Sequence, residues 1–187
     1  GYTFLGWATT SSATTAATSY TVSGDATLYA VWQVNSYLIT YAKNDGSSDS
    51  RDETYEYGAT NALSYRNPWS RAGYTFVGWS ATSSSTSADG SYLVQGADTL
   101  YAVWQINRHT ITYSRNYGAS ATTIQTLEYG NTDSLTFANP WSRQGYTFSG
   151  WATTSSATTA ATSYTVSGDA TLYAVWQINT FLITYAK

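Results

Sequence analysis

Gly73-Tyr74-Thr75-Phe76-Val77-Gly78-Trp79 decides the fold, because the chain writes it three times. It stands also as Gly1-Tyr2-Thr3-Phe4-Leu5-Gly6-Trp7 and as Gly145-Tyr146-Thr147-Phe148-Ser149-Gly150-Trp151, at offsets of 72 residues (73 − 1 and 145 − 73). The same offset relates Thr27-Leu28-Tyr29-Ala30-Val31-Trp32 to residues 99–104 and 171–176. It relates Glu56-Tyr57-Gly58 to Glu128-Tyr129-Gly130, and Asn67-Pro68-Trp69-Ser70-Arg71 to Asn139-Pro140-Trp141-Ser142-Arg143. A fixed period without insertions is the mark of a tandem array, in which one supersecondary unit is copied. A longer period lies above it. Residues 1–43 match 145–187 except at Leu5/Ser149, Val34/Ile178, Ser36/Thr180 and Tyr37/Phe181, so the unit copied last is a pair of repeats.

Outward from that stretch, the residue types set the elements. Tyr37-Leu38-Ile39-Thr40-Tyr41 and Arg108 to Tyr113 read as opening strands, rich in β-branched and aromatic residues. Leu28 to Trp32 and its copies read as closing strands, apolar on both faces and therefore central. Complete repeats fall at 37–108 and 109–180, with 1–36 the C-terminal half of one repeat and 181–187 the first strand of another. Within a repeat, Thr54-Tyr55-Glu56-Tyr57 alternates and stops at Gly58, the pattern of a half-exposed strand. Asn67 to Gly73 has Asn at an N-cap position, Pro at the first helical position and Gly beyond, which predicts a helical turn. Tyr74 and Phe76 face inward, and Val77, replaced by Leu5 and Ser149, faces water. Ala81–Ala88, Thr9–Ala17 and Thr153–Ala161 read as Ser/Thr-rich surface loops. The fold class is α+β, mainly β: a tandem array of small domains with one short helix or helical turn each.

Composition narrows the function. Hydrophobic residues make up 42% of the 187, enough for packed cores. Charged residues make up only 10% and the formal net charge is −3, which speaks against a nucleic-acid partner. No run approaches the ~20 apolar residues of a membrane-spanning helix, so no membrane insertion is expected in this segment. The absence of Met and the start at Gly1 suggest a segment of a longer protein, and the absence of Cys removes disulfides and thiolate metal sites.

Candidate chemistry fails when the copies are compared. The single His, His109, stands where the other copies have Tyr37 and Phe181, so the position accepts any ring and a catalytic base is not indicated. Asp45 to Glu56 places oxygen ligands at calcium-loop offsets 1, 3, 5, 9 and 12. Ser50 stands where that loop needs Gly, however, and the copy Tyr117 to Glu128 has lost nearly all its carboxylates. A solvated hairpin loop is the better reading. A Lys–Asn cross-link would need a Lys in each core, and Arg115 replaces Lys43 in the next copy. The reading is of a non-enzyme with no catalytic residue, cofactor or metal. Aromatics make up 17%, and Trp7, Trp32, Tyr29 and Phe4 have core spacing. Trp69, Trp141, Tyr55 and Tyr92 remain as candidate inter-repeat or lateral contacts, the two Trp because they lie in turns. Four residues, Gln33-Val34-Asn35-Ser36, separate closing from opening strand and span at most ~14 Å, so neighbouring repeats should touch. Edge strands at Thr54–Tyr57 and Ser91–Gln95 are the natural lateral contacts.

The combination of Gly-Tyr-Thr-Phe-x-Gly-Trp, Leu-Tyr-Ala-Val-Trp, Glu-Tyr-Gly and an opening Ile-Thr-Tyr strand resembles the B-repeat of internalin-type surface proteins, the Listeria–Bacteroides repeat. The resemblance covers essentially the whole chain and departs in the turn, where a single Pro precedes Trp. It implies a β-grasp-like (ubiquitin-like) domain strung in tandem on secreted or wall-attached bacterial proteins, hence an extracellular, cell-surface or cell-wall location. Two functions follow. One is a structural spacer forming a semi-rigid stalk or filament, whose partners are neighbouring repeats of the same chain and laterally associated copies. The alternative is an adhesin module that recognises glycan or a host surface protein through exposed Tyr and Trp.

Overall fold

Alternation and β-branched content place ten strands: Tyr2–Ala8 (β1), Tyr29–Val34 (β2), Ser36–Ala42 (β3), Ser50–Glu56 (β4), Tyr74–Ser80 (β5), Asp98–Ile106 (β6), Arg108–Ser114 (β7), Thr122–Glu128 (β8), Tyr146–Ala152 (β9) and Ala170–Ile178 (β10). They are taken from a computed structural model that describes residues 1–187. The strands form a two-stranded sheet β1-β2 and two four-stranded sheets, β4-β3-β6-β5 and β8-β7-β10-β9. The chain is thus mainly β, built of repeated small sheets. It divides into two compact units, one of residues 1–71 and 76–105, the other of 72–75 and 106–187.

In the first unit β3 and β4 form an antiparallel hairpin, from Ser36 opposite Glu56 to Ala42 opposite Ser50. β6 then returns parallel to β3, with Ile39 beside Asp98 and Ala42 beside Tyr101. The second unit repeats this: β7 pairs antiparallel with β8 and parallel with β10, which pairs antiparallel with β9. The closing strand is therefore central. Its cover is uneven, since Leu100, Ala102 and Val103 are buried while Tyr101 is half-buried.

Each core gathers on one sheet face. In the first unit it consists of Ile39, Tyr41, Ala62, Trp79, Val94, Leu100 and Ala102. In the second it consists of Ile111, Tyr113, Trp151, Val166, Leu172 and Ala174. Tyr41 stacks on Tyr65 at 4.0 Å and meets the edge of Trp79 at 4.8 Å; Tyr113 makes the same contacts with Phe137 and Trp151 at 4.1 and 4.8 Å. These are the stacked and T-shaped geometries favoured by ring quadrupoles. The polar atoms are satisfied too. Tyr41 OH donates to the Ala62 carbonyl at 2.7 Å, and Trp79 Nε1 to the Tyr65 carbonyl at 2.8 Å. Burial pushes the Tyr41 and Tyr113 hydroxyls up, Tyr113 to about 12, and a hydrogen bond to Tyr55 adds to the effect at Tyr41.

The variable x of Gly-Tyr-Thr-Phe-x-Gly-Trp has a structural cause. In β1 the register jumps between Phe4 and Gly6, and in β10 Val175 faces Gly150 while Trp176 faces Phe148. Leu5 and Ser149 are thus the unpaired residues of a β-bulge, which need no particular side chain. The glycine that follows takes φ of +136° at Gly6 and +134° at Gly150, open to glycine and strained for other residues. A Cβ there would also meet one on the Ser/Thr/Ala loop: Ala16 at 2.8 Å from Gly6, Ala88 at 2.5 Å from Gly78 and Ala160 at 2.7 Å from Gly150. The loop is therefore packed onto the sheet. Asn44, at φ +57°, fixes it by donating from Nδ2 to the carbonyls of Ser83 (2.9 Å) and Ala102 (3.0 Å); Asn116 does the same for Ser155 and Ala174.

Two expectations need correction. The helical turn is not at 67–73. The only helical residues are 3-10 turns at Ala62–Ser64 and Asp133–Thr136. Asn67 Oδ1 accepts from Trp69 N at 3.0 Å while its Nδ2 donates to the Trp69 carbonyl at 3.1 Å, so Asn-Pro-Trp closes an Asx turn instead of capping a helix. Ser91–Gln95 is not an edge strand either. Val94 is fully buried, its N–H donates to Ala59 O and its carbonyl accepts from Gly58 N, so the segment is a strap across its own core.

Candidate functional site

In a tandem array each repeat meets the next, and here the chain spends a single residue on that junction. β2 runs to Val34 and β3 begins at Ser36, so the four-residue linker expected from sequence shrinks to Asn35. Both backbone groups of Asn35 are used. Its N–H donates to the Gly1 carbonyl at 2.8 Å, extending the β1–β2 ladder, and its carbonyl accepts from Tyr57 N at 2.8 Å, extending the β3–β4 ladder. Its Oδ1 accepts from Thr3 Oγ1 at 2.6 Å. A ring completes the junction: a Cβ on Gly1 would fall inside the ring of Tyr57, which also contacts Tyr2 and Tyr37 at 6.1 and 6.5 Å.

The second unit carries the same arrangement 72 residues on. Asn107 N–H donates to Gly73 O at 2.8 Å, Tyr129 N–H to Asn107 O at 2.9 Å, and Thr75 Oγ1 to Asn107 Oδ1 at 2.7 Å. Tyr129 covers Gly73, which takes φ +75°. Asn179 bonds Gly145 and Thr147 in the same way, at 2.8 Å each. Both backbone groups of Asn35 and of Asn107 are thus paired with the flanking ladders.

The side chains singled out by sequence, Trp69, Trp141, Tyr55 and Tyr92, make contacts within their own repeats. Trp69 and Trp141 pack within their own repeats, each 6.3 Å from the buried Trp79 or Trp151. Tyr55 shares a 2.7 Å hydroxyl contact with Tyr41, and Tyr92 OH donates to Asp98 Oδ2 at 2.7 Å. Asn35, Gly1, Thr3 and Tyr57 were missed, although Asn follows Gln-(Val/Ile) and Tyr follows Glu at every 72-residue step.

His109 takes the place of Tyr37. Its ring lies 6.5 Å from Tyr129 at 57°, matching Tyr37 on Tyr57 at 6.5 Å and 60°, and its Nδ1 is 3.6 Å from Asp169 Oδ1. In the acidic segment Lys43 Nζ sits 2.9 Å from Asp45 and 3.3 Å from Asp49. Bonds from Ser47, then from Lys43, hold the Asp45 carboxyl well below the usual carboxylate range. Residues 50–56 are extended as β4, so Glu53 and Glu56 point to opposite faces and cannot converge with Asp45 on one ion. In the next repeat Arg115 over Tyr117, at 4.6 Å, replaces the Lys43–Asp45 pair.

Comparison with known proteins agrees with this architecture. The sequence model of the Listeria–Bacteroides repeat domain matches residues 1–31, 37–103 and 109–175. The chain belongs to the Listeria–Bacteroides repeat domain family. Asn35 and Asn107 fall between consecutive matched segments of that domain. Two proteins of Evansella cellulosilytica are similar, each 33% identical, over 99% and 88% of this chain; one bears the name Gly-rich membrane protein and the other membrane protein. The chain spans only 22% and 24% of their lengths.

Proposed function

We propose that this array of Listeria–Bacteroides repeats is a structural segment of a secreted or cell-surface bacterial protein, a semi-rigid stalk acting as spacer and scaffold. The observation that carries this reading is the one-residue junction, hydrogen-bonded on both sides and closed by a tyrosine ring over a glycine. Folded repeats at 37–108 and 109–180 fit it, with Asn35, Asn107 and Asn179 as links. The hairpin followed by a parallel return of the last strand beside the first supports a β-grasp-like domain. Relatives named as membrane proteins support a place at the cell envelope.

The structural role is favoured over the adhesin reading by one observation. An aromatic platform needs rings open to solvent, and every Tyr, Trp and Phe between residues 37 and 178 is buried or half-buried. Small-angle scattering tests the stalk. The unmodified chain should fit a single conformation, and a Gly-Ser-Gly-Ser insertion after Asn107 should broaden the distance distribution. A chain that already scatters like the insertion variant refutes the proposal.

A further inference from the structure

Sheet edges are where β-proteins are open to other strands, and nature blunts them with charges or bulges. This chain blunts its long edges unevenly. β9 carries the Ser149–Gly150 bulge, with Ala160 packed on it, and β5 carries Ala88 on Gly78. β4 has three consecutive charges in its first half, Arg51-Asp52-Glu53. β8 lies at the same edge position of the other sheet, and there the three residues are Thr123-Ile124-Gln125. From Thr122 to Leu127 it carries no charge, no Pro and no Gly, and Ile124 is 65% exposed.

The hydrogen-bond register shows which groups this edge offers. Tyr129 N donates to Asn107 O and Arg115 N to Ala121 O, so the hydrogen-bonded pairs between β7 and β8 fall on odd-numbered residues. The even-numbered residues Thr122, Ile124, Thr126 and Glu128 therefore turn their N–H groups to the free edge, as Thr110 on β7 turns its own away from β8 to Asp169. The carbonyls of Thr122, Ile124 and Thr126 point the same way.

We infer that β8 is a docking edge for a second copy of this chain, pairing antiparallel with the copy's own β8 about a two-fold axis through Gln125. In that register Ile124 and Thr126 of the two copies exchange both backbone bonds, and Glu128 N–H meets the Thr122 carbonyl. Ile124 lies beside Thr126 on one face, Thr123 beside Leu127 on the other, and Glu128, whose carboxylate is paired with Arg108 at 3.1 Å, meets Thr122. No like charges oppose each other. The same pairing of two β4 strands would set Glu53 against Glu53, which is unfavourable. The Gln125 side chain ends 2.9 Å from Tyr113 OH, whose other neighbour is the Ser134 carbonyl at 2.8 Å, and one such contact still leaves Gln125 an amide N–H for the copy's Gln125. This lateral contact goes beyond the spacer reading and does not depend on it, since a flexible chain could carry the same edge.

The test uses the full chain, which has no cysteine. On the proposed axis the two Gln125 residues form a non-hydrogen-bonded pair, with Cα atoms about 4.5 Å apart, inside the range a disulfide spans. Gln125→Cys should oxidise to a covalent dimer, and Glu53→Cys should stay monomeric. In sedimentation velocity the unmodified chain should dimerise with rising concentration. The Thr123→Arg/Ile124→Asp/Gln125→Glu variant, which copies the Arg-Asp-Glu of β4, should raise the dimer dissociation constant about tenfold or more while keeping its circular dichroism and melting curve. Glu53→Cys linking as fast as Gln125→Cys, or an unmodified chain that stays monomeric to its solubility limit, overturns the proposal. Faster linking through Ile124→Cys overturns the register.

Discussion

Replacing Gly73 by alanine tests the junction directly, because the chain contains its own control. Gly73 and Gly145 are equivalent, with φ of +75° and +79°. A Cβ on Gly145 would meet nothing within 4 Å, whereas one on Gly73 would fall inside the Tyr129 ring. A left-handed alanine costs about 1–2 kcal/mol at either site. At Gly73 the ring must also move, which strains the Tyr129–Asn107 and Asn107–Gly73 hydrogen bonds, each contributing about 1 kcal/mol. Gly73→Ala should therefore destabilise the second unit by about 2–4 kcal/mol and Gly145→Ala by about 1–2. In a Tyr129→Ala background the ring is gone, and Gly73→Ala should cost no more than Gly145→Ala does. Urea unfolding followed by tryptophan fluorescence gives the three differences, and the double-mutant cycle gives the coupling. Equal losses at the two glycines, or additivity with Tyr129→Ala to within about 0.5 kcal/mol, would show that the ring does not hold the junction.

The cores and loops yield further expectations. Ser134 stands where the first unit has Ala62, fully buried, and its hydroxyl has no partner; Ser134→Ala should stabilise the second unit by about 1–2 kcal/mol, read from its urea midpoint. Asn116 combines φ +59° with two side-chain bonds to the loop, so Asn116→Gly, which keeps the backbone, should cost about 1–2 kcal/mol and Asn116→Ala about 1 kcal/mol more. Burial first, and then Tyr164, lifts the Tyr113 hydroxyl to about 12. The folded state therefore binds that proton more tightly than the unfolded chain does. Its contribution to stability is complete below about pH 10 and is lost as pH rises from there through about 12. Absorbance titration of phenolate should show a step at that pH that is missing in Tyr113→Phe.

Much of the fold was legible because the copies acted as an alignment inside one chain. Strands with β-branched and aromatic content fell where expected, and substitution of Leu5, Val77 and Ser149 marked a position free of packing before the bulge explained it. What stayed hidden depended on partners distant in sequence. Asn67-Pro68 carries every local sign of a helix start, yet the Asn side chain bonds Trp69 and makes a turn. Ser91–Gln95 has the residues of a strand, but Val94 is claimed by Gly58 and Ala59. The site escaped for a similar reason. Asn35 gains its meaning from Gly1, Thr3 and Tyr57, and aromatic abundance drew attention to Trp69 and Trp141, whose rings pack within their own repeats.

The closing strand has two faces, and they are covered differently. Leu100 and Ala102 sit in the core with Trp79, and Leu172 and Ala174 with Trp151. Val31, Val103 and Val175 are also buried but belong to neither core. Val31 is paired with Gly6 and Val175 with Gly150, and the loop residues Ala16 and Ala160 pack on those glycines. The loop of each copy thus lies over the face that the core leaves. This is the Ser/Thr loop that sequence assigned to solvent. Its small side chains approach a bulged glycine closely enough to seal that face, and so leave the other free to build the aromatic core.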